Sequence, residues 1–329
     1  MDRRRFHIRS LALLGAAASP FARGQSRPGG PGGYPNKAIK LIVPYPAGGI
    51  VDAVMRAVTD PLSAELPQRI LIDNRTGADG RIGVTAAAQA APDGYTLVSA
   101  TPLLAVGEHL MPDMAGRSKD FVGVCAIAAP PSVFCVWSGL QAQSLKDVVA
   151  LAAAKPGELN VANPGSGSSI HLAQELLFER TGMQVTNVNY RGQPPSLLDL
   201  AEGRVHLALI SQSLALPLIQ TGKLRALAVN AARRTRSLPQ VPTVAEAGLP
   251  EVLVQSWYGV AAPARTPAPI VSYLSDQFMQ TLAQPETRAK LDGMDAELMA
   301  LPGLELDKLI EREFRRWGEL IRKRGIKMS

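Results

Sequence analysis

The chain of 329 residues is long enough for two domains, and a composition that is 46% hydrophobic can supply a large core. Only 19% of the residues are charged, which argues against a disordered chain. The net charge of +7 includes a contribution from the N-terminal segment, and no lysine-rich block or basic patch with interleaved aromatic residues suggests a nucleic-acid partner. We therefore expect a globular protein that does not bind nucleic acid.

Residues 1–25 have the pattern of an export signal peptide. Arginines at residues 3–5 form a basic start, residues 11–18 are apolar, and small residues in that stretch or near Ala22 suit cleavage. The apolar stretch is too short to span a membrane. The arginines also suit a twin-arginine signal, so this route and the general secretory route both stay open. Residues 26–33 are predicted to be a flexible leader of a soluble, exported protein.

Strand and helix patterns alternate at short spacing through the first third of the chain, which is typical of parallel α/β structure. Predicted strands cover residues 39–43, 69–72 and 95–100, and predicted helices begin near Asp52 and end near Ala90. Pro61 is expected to kink or end the first of these helices. Two apolar strands at 122–128 and 133–137 follow.

The same alternation then restarts, so the sequence predicts a second α/β domain. Predicted helices cover residues 145–154, 169–181, 194–201 and 214–220, and predicted strands cover 159–162, 185–190, 205–210 and 224–229. Residues 235–250 are predicted to be a surface loop, and the basic run at 233–236 is expected to be solvated. After a strand at 257–262, the tail shows two amphipathic helical patterns.

A glycine- and serine-rich turn joins the strand at 159–162 to the helix that follows it. Residues 163–172 read NPGSGSSIHL, in which glycines permit a tight turn and a serine can cap the helix. Free amides at a helix start, together with the helix dipole, favour an anion. The sequence supports two interpretations equally, a cradle for a carboxylate and an ordinary capped strand-to-helix turn.

The sequence offers little for catalysis. The nucleophile elbow of a serine hydrolase needs glycine two residues before and after the serine, and neither Ser166 nor Ser168 meets this requirement. The loop completes neither a Walker motif nor a dinucleotide fingerprint. No histidine has a second ligand at a spacing typical of metal sites, and His171 is the only modest candidate for a base. We expect no metal and no cofactor.

Two cysteines, Cys125 and Cys135, lie in apolar runs. An oxidising compartment would permit a disulfide between them, and two buried thiols are an equally acceptable interpretation.

With these motifs in order, the sequence resembles the receptors of tripartite tricarboxylate transporters, also called Bug receptors, from about residue 34 to residue 324. The stretches that carry the resemblance are YP (34–35), IVPYPAGG (42–49) with Asp52, NRTGADG (74–80) with Gly83, PDGYTL (92–97), GSGS (165–168) with HLA (171–173), NYRG (189–192), GKLRAL (222–227), VPTVAEAG (241–248) and WYG (257–259). Each stretch alone is a weak signal, whereas their order along the chain is specific.

The resemblance implies a two-domain Venus-flytrap fold of the periplasmic binding protein type II kind. Each lobe would be an α/β sheet flanked by helices, two crossing strands would form the hinge, and the ligand would lie between the lobes. The first lobe would comprise residues 34–135 and 258–329, and the second residues 136–257, with crossings near Cys135 and Trp257.

The resemblance also implies which residues bind a ligand carboxylate. Both lobes would contribute: Pro46, Ala47, Gly48, Gly49, Gly77, Ala78, Thr101, Gly165, Ser166, Gly167, Ser168, Ser169, Arg191 and Ile210. Relatives often carry Asp where this chain has Ile210, and Lys where it has Arg191. Because the Asp would be a natural partner for a ligand amino group, its loss favours a carboxylic acid with a neutral or apolar far end.

Three functions remain open at this stage. The resemblance implies a monomeric periplasmic receptor, without enzymatic activity, that captures a small organic acid and delivers it to membrane transporter subunits. A receptor that serves a signalling partner, and an enzyme on the same scaffold, are the alternatives, since a fold does not fix function.

Overall fold

The structure is a computed structural model, and it describes residues 29–110, 116, 118–165 and 168–325. The predicted signal peptide and the first part of the predicted leader lie outside these residues. The last part of that leader is described, and a short 3-10 turn spans Pro31–Gly33.

Eleven strands in the described chain form two sheets. In chain order they are β1 (Ile39–Val43), β2 (Ile70–Asn74), β3 (Thr96–Ala100), β4 (Phe121–Ala129), β5 (Ser132–Trp137), β6 (Asn160–Asn163), β7 (Thr186–Asn189), β8 (Leu207–Ser211), β9 (Leu224–Asn230), β10 (Tyr258–Pro263) and β11 (Glu297–Pro302). The first sheet has the order β11-β4-β10-β3-β1-β2, and the second has the order β7-β6-β8-β5-β9. We call each sheet with its helices a lobe.

Ten α-helices in the same ranges flank the sheets. They are α1 (Ile50–Glu65), α2 (Arg81–Ala88), α3 (Pro102–Leu110), α4 (Leu145–Ala154), α5 (Ser169–Thr181), α6 (Gln193–Ala201), α7 (Gln212–Gln220), α8 (Ala268–Ala283), α9 (Pro285–Asp292) and α10 (Gly303–Arg324). Within the described ranges, no helix combines the length and the apolar character needed to cross a bilayer.

The chain crosses between the lobes twice. β4 ends in the first sheet at Ala129 and β5 begins in the second at Ser132, so the first crossing is the dipeptide at 130–131. The boundary predicted at residue 135 therefore falls inside β5. The return crossing lies between β9 and β10, where Asn230 Nδ2 donates to Val254 O and Val254 N donates to Asn230 Oδ1, both at 3.2 Å.

Parallel pairing in both lobes agrees with the predicted alternation. β1 pairs in parallel with β2 and β3, and β6 pairs in parallel with β7 and β8. Because parallel strands are joined by crossover helices, their carboxyl ends collect at one edge of each sheet, where loops can bind a ligand.

Pro61 does not end α1, which continues to Glu65. Of the two predicted effects of Pro61, a kink or an end of the helix, the end is wrong, because the residues on both sides of Pro61 pack in the core and offset the missing hydrogen bond. Val58 before the proline and Leu62 after it are fully buried.

The prediction of two tail helices was incomplete. The tail also forms α9 and the edge strand β11, which pairs antiparallel with β4 through an irregular register between Leu298 and Leu301. The sequence of β11 lacks strict alternation, and pairing with β4 supplies the backbone partners that fix it as a strand.

Candidate functional site

A cleft between the lobes is lined from both sides by loops at the carboxyl ends of strands. It has two adjoining compartments of about 60 Å³ and about 290 Å³. We call the smaller one inner, because Tyr258 at the start of β10 lines it, and the larger one outer. Five residues line both compartments: Tyr45, Pro46, Pro164, Ser168 and Gly192. The two compartments are therefore parts of one continuous cleft.

Four helices begin at the inner compartment. Ile50 starts α1, Pro102 starts α3, Ser169 starts α5 and Gln193 starts α6, and all four residues line it. The first amides of a helix have no acceptor within the helix, and the helix dipole adds partial positive charge at that end. Pro102 in α3 and Pro194 in α6 carry no N–H, so these two positions contribute through the dipole alone. No charged side chain is among the described residues that line this compartment. The helix ends therefore favour a bound anion even though none of these side chains carries a positive charge.

Hydroxyl groups add hydrogen-bonding capacity around the same compartment. Tyr45 OH lies 3.3 Å from Thr101 Oγ1, and Ser169 Oγ lies 2.5 Å from Ser256 Oγ. Burial raises the pKa of Tyr45 to about 12 and also raises the pKa of Tyr258 above its ordinary value. Both phenols are therefore neutral at physiological pH, and each retains a proton that it can donate.

Charged side chains line the outer compartment instead. Residues 76–80 form one wall, and Gly165 and Arg191 contribute to the other. Asp79 adopts a φ of +52° in this loop. Arg191 is exposed, and it has no hydrogen-bond or ion-pair partner within the part of the chain that the structure describes. Among the described residues that line the outer compartment, Arg191 is the cation and Asp79 is the carboxylate.

The first glycine loop, residues 45–49, is held in place by Asp52 in the first turn of α1. The Asp52 carboxylate accepts hydrogen bonds from Gly48 N at 3.0 Å, Arg56 Nε at 2.9 Å and Asn74 Nδ2 at 3.1 Å. Burial alone would raise the pKa of Asp52, but these donors together lower it below its usual range. Asn74 Nδ2 also donates to Tyr45 O, which fixes the other end of the loop.

The two loop glycines therefore position the site through internal hydrogen bonds. Gly48 N donates to Asp52 and Gly49 N donates to Pro46 O at 3.3 Å, so both amides already have acceptors within this segment. Ala47 and Gly48 are exposed and line neither compartment, whereas Pro46 and Gly49 do line the cleft.

The serine loop caps the helix that follows it, as one of the two interpretations of its sequence predicts. Ser168 caps α5, because its Oγ accepts from His171 N at 3.2 Å and donates to Gly165 O at 2.8 Å. Ser169 and the residue after it, Ile170, line the inner compartment. Ser166 and Gly167, also predicted to bind the ligand, lie outside the described residues.

The two walls of the cleft approach each other closely at Gly192 and at Gly165. A methyl group added at Gly192, whose φ is +101°, would lie 3.1 Å from Pro46 Cγ of the other lobe. One added at Gly165 would lie 4.0 Å from Asp79 Oδ1. The space between the lobes is therefore narrow at these two points.

Among the other predicted residues, Gly77, Ala78 and Arg191 line the outer compartment and Thr101 lines the inner one. Ile210 lines neither. It is fully buried on β8 and packs in a cluster with Leu200 and Ala215. Alternate side chains of a strand point to opposite faces, and the face that Ile210 occupies is covered by helices. The position of Ile210 in this core cluster therefore gives no support to the prediction that it sets the far end of the ligand.

Several lining residues were missed by sequence reasoning. Tyr45, Gly192 and Tyr258 lie inside recognised motifs, so these motifs could have indicated them. Gln193 had no such signal, and its side chain is fixed by Ser211: Gln193 Nε2 donates to Ser211 Oγ at 2.9 Å and Ser211 N donates to Gln193 Oε1 at 2.6 Å.

No group of three or more potential metal ligands occurs among the described residues. His171 is buried and its Nε2 lies 3.7 Å from Glu175 Oε1 on the same helix. His206 Nδ1 accepts from Asn160 N at 3.0 Å. Neither histidine lines the two compartments of the cleft.

Comparisons with known proteins agree with this geometry. The sequence pattern of the family described as "Tripartite tricarboxylate transporter family receptor" matches residues 54–326. Protein BugT of Bordetella pertussis is 34% identical over 303 residues, which covers 90% of this chain and 92% of BugT.

Two solved structures of similar proteins have the same fold as this chain. A Rhodopseudomonas palustris protein with adipate is 34% identical, with a TM-score of 0.84, and the match covers 89% of this chain and 99% of that one. MatC from Rhodopseudomonas palustris with bound malate is 30% identical, with a TM-score of 0.82, and the match covers 88% of this chain and 100% of MatC. The prediction of two α/β lobes in a periplasmic binding protein fold is confirmed.

Proposed function

Since this chain belongs to the family of tripartite tricarboxylate transporter receptors, we propose that it captures a small organic carboxylate in the cleft between its lobes. The observation that carries the proposal is the inner compartment, where four helices begin and no charged side chain lies among the described lining residues. Helix N-termini bind carboxylates through backbone amides and the dipole. Relatives with adipate and with malate support the same ligand class.

In this proposal the ligand carboxylate occupies the inner compartment, near Thr101 and Ser169. The inner compartment holds only about 60 Å³, so the rest of the ligand extends into the outer one. There it meets Arg191 and Asp79, which favours an acid whose far end is polar.

The receptor acts outside the cytoplasm as a monomer and delivers the acid to the membrane subunits of a tripartite transporter. Release is then driven by reopening of the lobes, and the acid leaves chemically unchanged. A receptor that serves a signalling partner would use the same cleft, and the two roles differ only in the protein that binds the closed form.

The test is a ligand screen on mature protein that has been unfolded and refolded to remove any bound ligand. Monocarboxylates, dicarboxylates, tricarboxylates and amino acids are added, and thermal unfolding is followed. A ligand at a hundred times its dissociation constant stabilises the folded state by about 2.7 kcal/mol, which shifts the midpoint visibly. Stabilisation by at least one carboxylate is expected, and no shift with any acid would contradict the proposal.

The variant Gly192→Ala tests whether the acid binds between the two walls of the cleft. The added methyl group meets Pro46 of the opposite lobe, so closure is hindered and affinity for the acid should fall about tenfold. Gly157→Ala is the matched control, because Gly157 also has a positive φ, +80°, but has open space around it. Isothermal titration of both variants should show loss only in Gly192→Ala, and equal affinities would argue against binding between these walls.

A further inference from the structure

A chain of three hydroxyl groups lies beside the inner compartment of the cleft. Ser169 Oγ, at the start of α5 in the second lobe, lies 2.5 Å from Ser256 Oγ in the return crossing. Tyr258, at the start of β10 in the first lobe, also hydrogen-bonds to Ser256, and this bond partly offsets the effect of burial on the pKa of the phenol. Ser256 is therefore the middle member of the chain and has one neighbour from each lobe.

The middle hydroxyl lies outside the site, whereas both of its neighbours belong to it. Ser169 and Tyr258 line the inner compartment, and Ser256 lines neither compartment. All three residues are buried. Within the part of the chain that the structure describes, their hydroxyl groups have no hydrogen-bond partners outside this set of three. The three groups must therefore satisfy one another.

The number of protons limits how they can do so. Each hydroxyl carries one proton, so it donates one hydrogen bond and accepts others. If Ser256 accepted from both neighbours, its own proton would be buried without an acceptor among the described residues, which is costly. Ser256 therefore donates to one neighbour and accepts from the other.

The neighbour that accepts from Ser256 keeps its own proton unused. If Ser256 donates to Ser169, the unused proton is that of the serine, and if it donates to Tyr258, the unused proton is that of the phenol. Both of these residues line the inner compartment. In either direction, the chain leaves a single hydroxyl proton for a ligand in that compartment.

We propose that Ser256 is a positioning residue for the ligand carboxylate, because its bonds to Ser169 and Tyr258 orient one hydroxyl donor into the inner compartment before the ligand binds. The inference rests on the proposed function, since the donor serves the carboxylate that occupies this compartment. A donor whose orientation is already fixed loses less conformational freedom on binding than one that rotates, so affinity is higher.

The test begins with two substitutions of Ser256 in the mature protein. In Ser256→Ala the hydroxyls of Ser169 and Tyr258 lose their common partner and can rotate, so affinity for the acid found in the ligand screen should fall about fivefold, the worth of one hydrogen bond. Ser256→Cys should show a similar loss, because a thiol fills the space but is only a weak donor and acceptor. Isothermal titration measures both affinities.

Ser144→Ala is the matched control. Ser144 Oγ accepts from Asp147 N at 3.2 Å at the start of α4, and Ser144 lines neither compartment. This variant also loses one serine hydrogen bond in the second lobe, so it should be less stable than the wild type. Its affinity for the acid should nevertheless equal that of the wild type.

A double-mutant cycle distinguishes a connected chain from independent contributions. Ser256→Ala is combined in turn with Ser169→Ala and with Tyr258→Phe. At the neighbour that donates to the acid, each single variant should lose affinity about fivefold, and the double variant should lose no more than about fivefold. Independent effects would instead multiply to about 25-fold.

Three results would overturn the inference. The first is wild-type affinity in Ser256→Ala. The second is multiplication of the losses in both double variants, which would show that the hydroxyls act separately. The third is wild-type affinity in Ser256→Cys, which would show that Ser256 only fills space.

Ligand-free crystal structures separate this inference from the proposed function. In the wild type, Ser256 Oγ should lie within hydrogen-bond distance of both neighbouring hydroxyls, and Ser169 should adopt one rotamer. In Ser256→Ala, Ser169 should adopt more than one. If no acid binds the wild type, the proposed function fails while these structures still decide the hydroxyl chain. Separation of Ser256 from either neighbour in the wild type, or a single Ser169 rotamer in both proteins, would refute it.

Discussion

At the scale of single residues, Asp52 shows how one buried carboxylate can shape a binding loop. It is 3% exposed, and it holds the first glycine loop through Gly48, the first helix through Arg56 and the adjacent strand through Asn74. The three donors outweigh the effect of burial, so the pKa of Asp52 is lowered. A carboxyl group with a lowered pKa in the folded state stabilises that state wherever it is ionised.

We expect Asp52→Asn to lower the free energy of unfolding at pH 7 by about 2 kcal/mol, because charge-assisted hydrogen bonds are lost. The stabilisation by Asp52 is complete above its ordinary pKa of about 4, and it is lost as pH falls through the lower folded pKa. The difference between wild type and variant should therefore shrink in acid.

Denaturant unfolding at pH 7 and at pH 3 measures both differences. Asp276→Asn serves as the control, because Asp276 is exposed on α8 and has no ion-pair partner in the described ranges. If the Asp52→Asn difference were the same at both pH values, the lowered pKa would not be the source of the stabilisation.

Single residues also show which parts of the site could be predicted from the sequence and which could not. Asp52 and the loop before it were indicated by their motif, and the structure shows that they shape one wall of the cleft. Ile210 was assigned to the ligand from its place in the sequence, yet it packs in the core. Strand alternation decides which side chains face the cleft, and the register of β8 against β5 and β6 is not local information.

At the scale of elements, the start of α10 packs directly on β4. A methyl group on Gly123 would overlap the carbonyl oxygen of Gly303, and one on Gly303 would overlap that of Gly123. Gly123 N also donates to Asp307 Oδ1 at 2.7 Å, which anchors the N-terminal part of α10 to the strand. The two glycines allow a backbone-to-backbone contact that no other residue type permits.

Gly303→Ala should therefore lower the free energy of unfolding by about 3 kcal/mol, since β4 and α10 must separate to admit the methyl group. The measurement is denaturant unfolding followed by circular dichroism. Gly293→Ala, after α9 in the same lobe, is the control: its φ is negative and its methyl group would make only ordinary contacts at 3.5 Å. Equal stabilities of the two variants would contradict this account of the contact.

Elements with strong local signals were predicted closely. The predicted bounds of β1, α4 and α5 match the observed ones residue for residue. β11 was missed, because its sequence alone does not alternate and its partner β4 lies more than 160 residues earlier. Pairing between strands so far apart in sequence cannot be predicted from the local residue pattern.

At the scale of the whole molecule, each of the two sheets contains one of the two cysteines. Cys125 lies on β4 in the first sheet and Cys135 on β5 in the second, and both are free and fully buried. Burial raises the pKa of each thiol, so little reactive thiolate is present at neutral pH. Of the two interpretations left open by the sequence, the structure shows buried thiols.

We expect a thiol reagent to label neither cysteine in the native protein at neutral pH, and to label two thiols per chain after unfolding without a reductant. The label count, read by mass spectrometry, is compared with that of a sample reduced before unfolding. Zero labels in the unreduced unfolded sample would show a disulfide, and rapid labelling of the native protein would show that a strand beside the first crossing opens readily.

The sequence by itself determined the layered α/β elements, the presence of two lobes and the family of receptors to which the chain belongs. These depend on hydrophobic periodicity, turn residues and ordered motifs, all of which are written locally along the chain. Only the tertiary structure decided which residues face the cleft, that Gly192 meets Pro46, and that Ser256 lies beside Ser169. The reason is physical: these contacts join segments that are distant in sequence, and their geometry follows from how two sheets pack around a shared hinge.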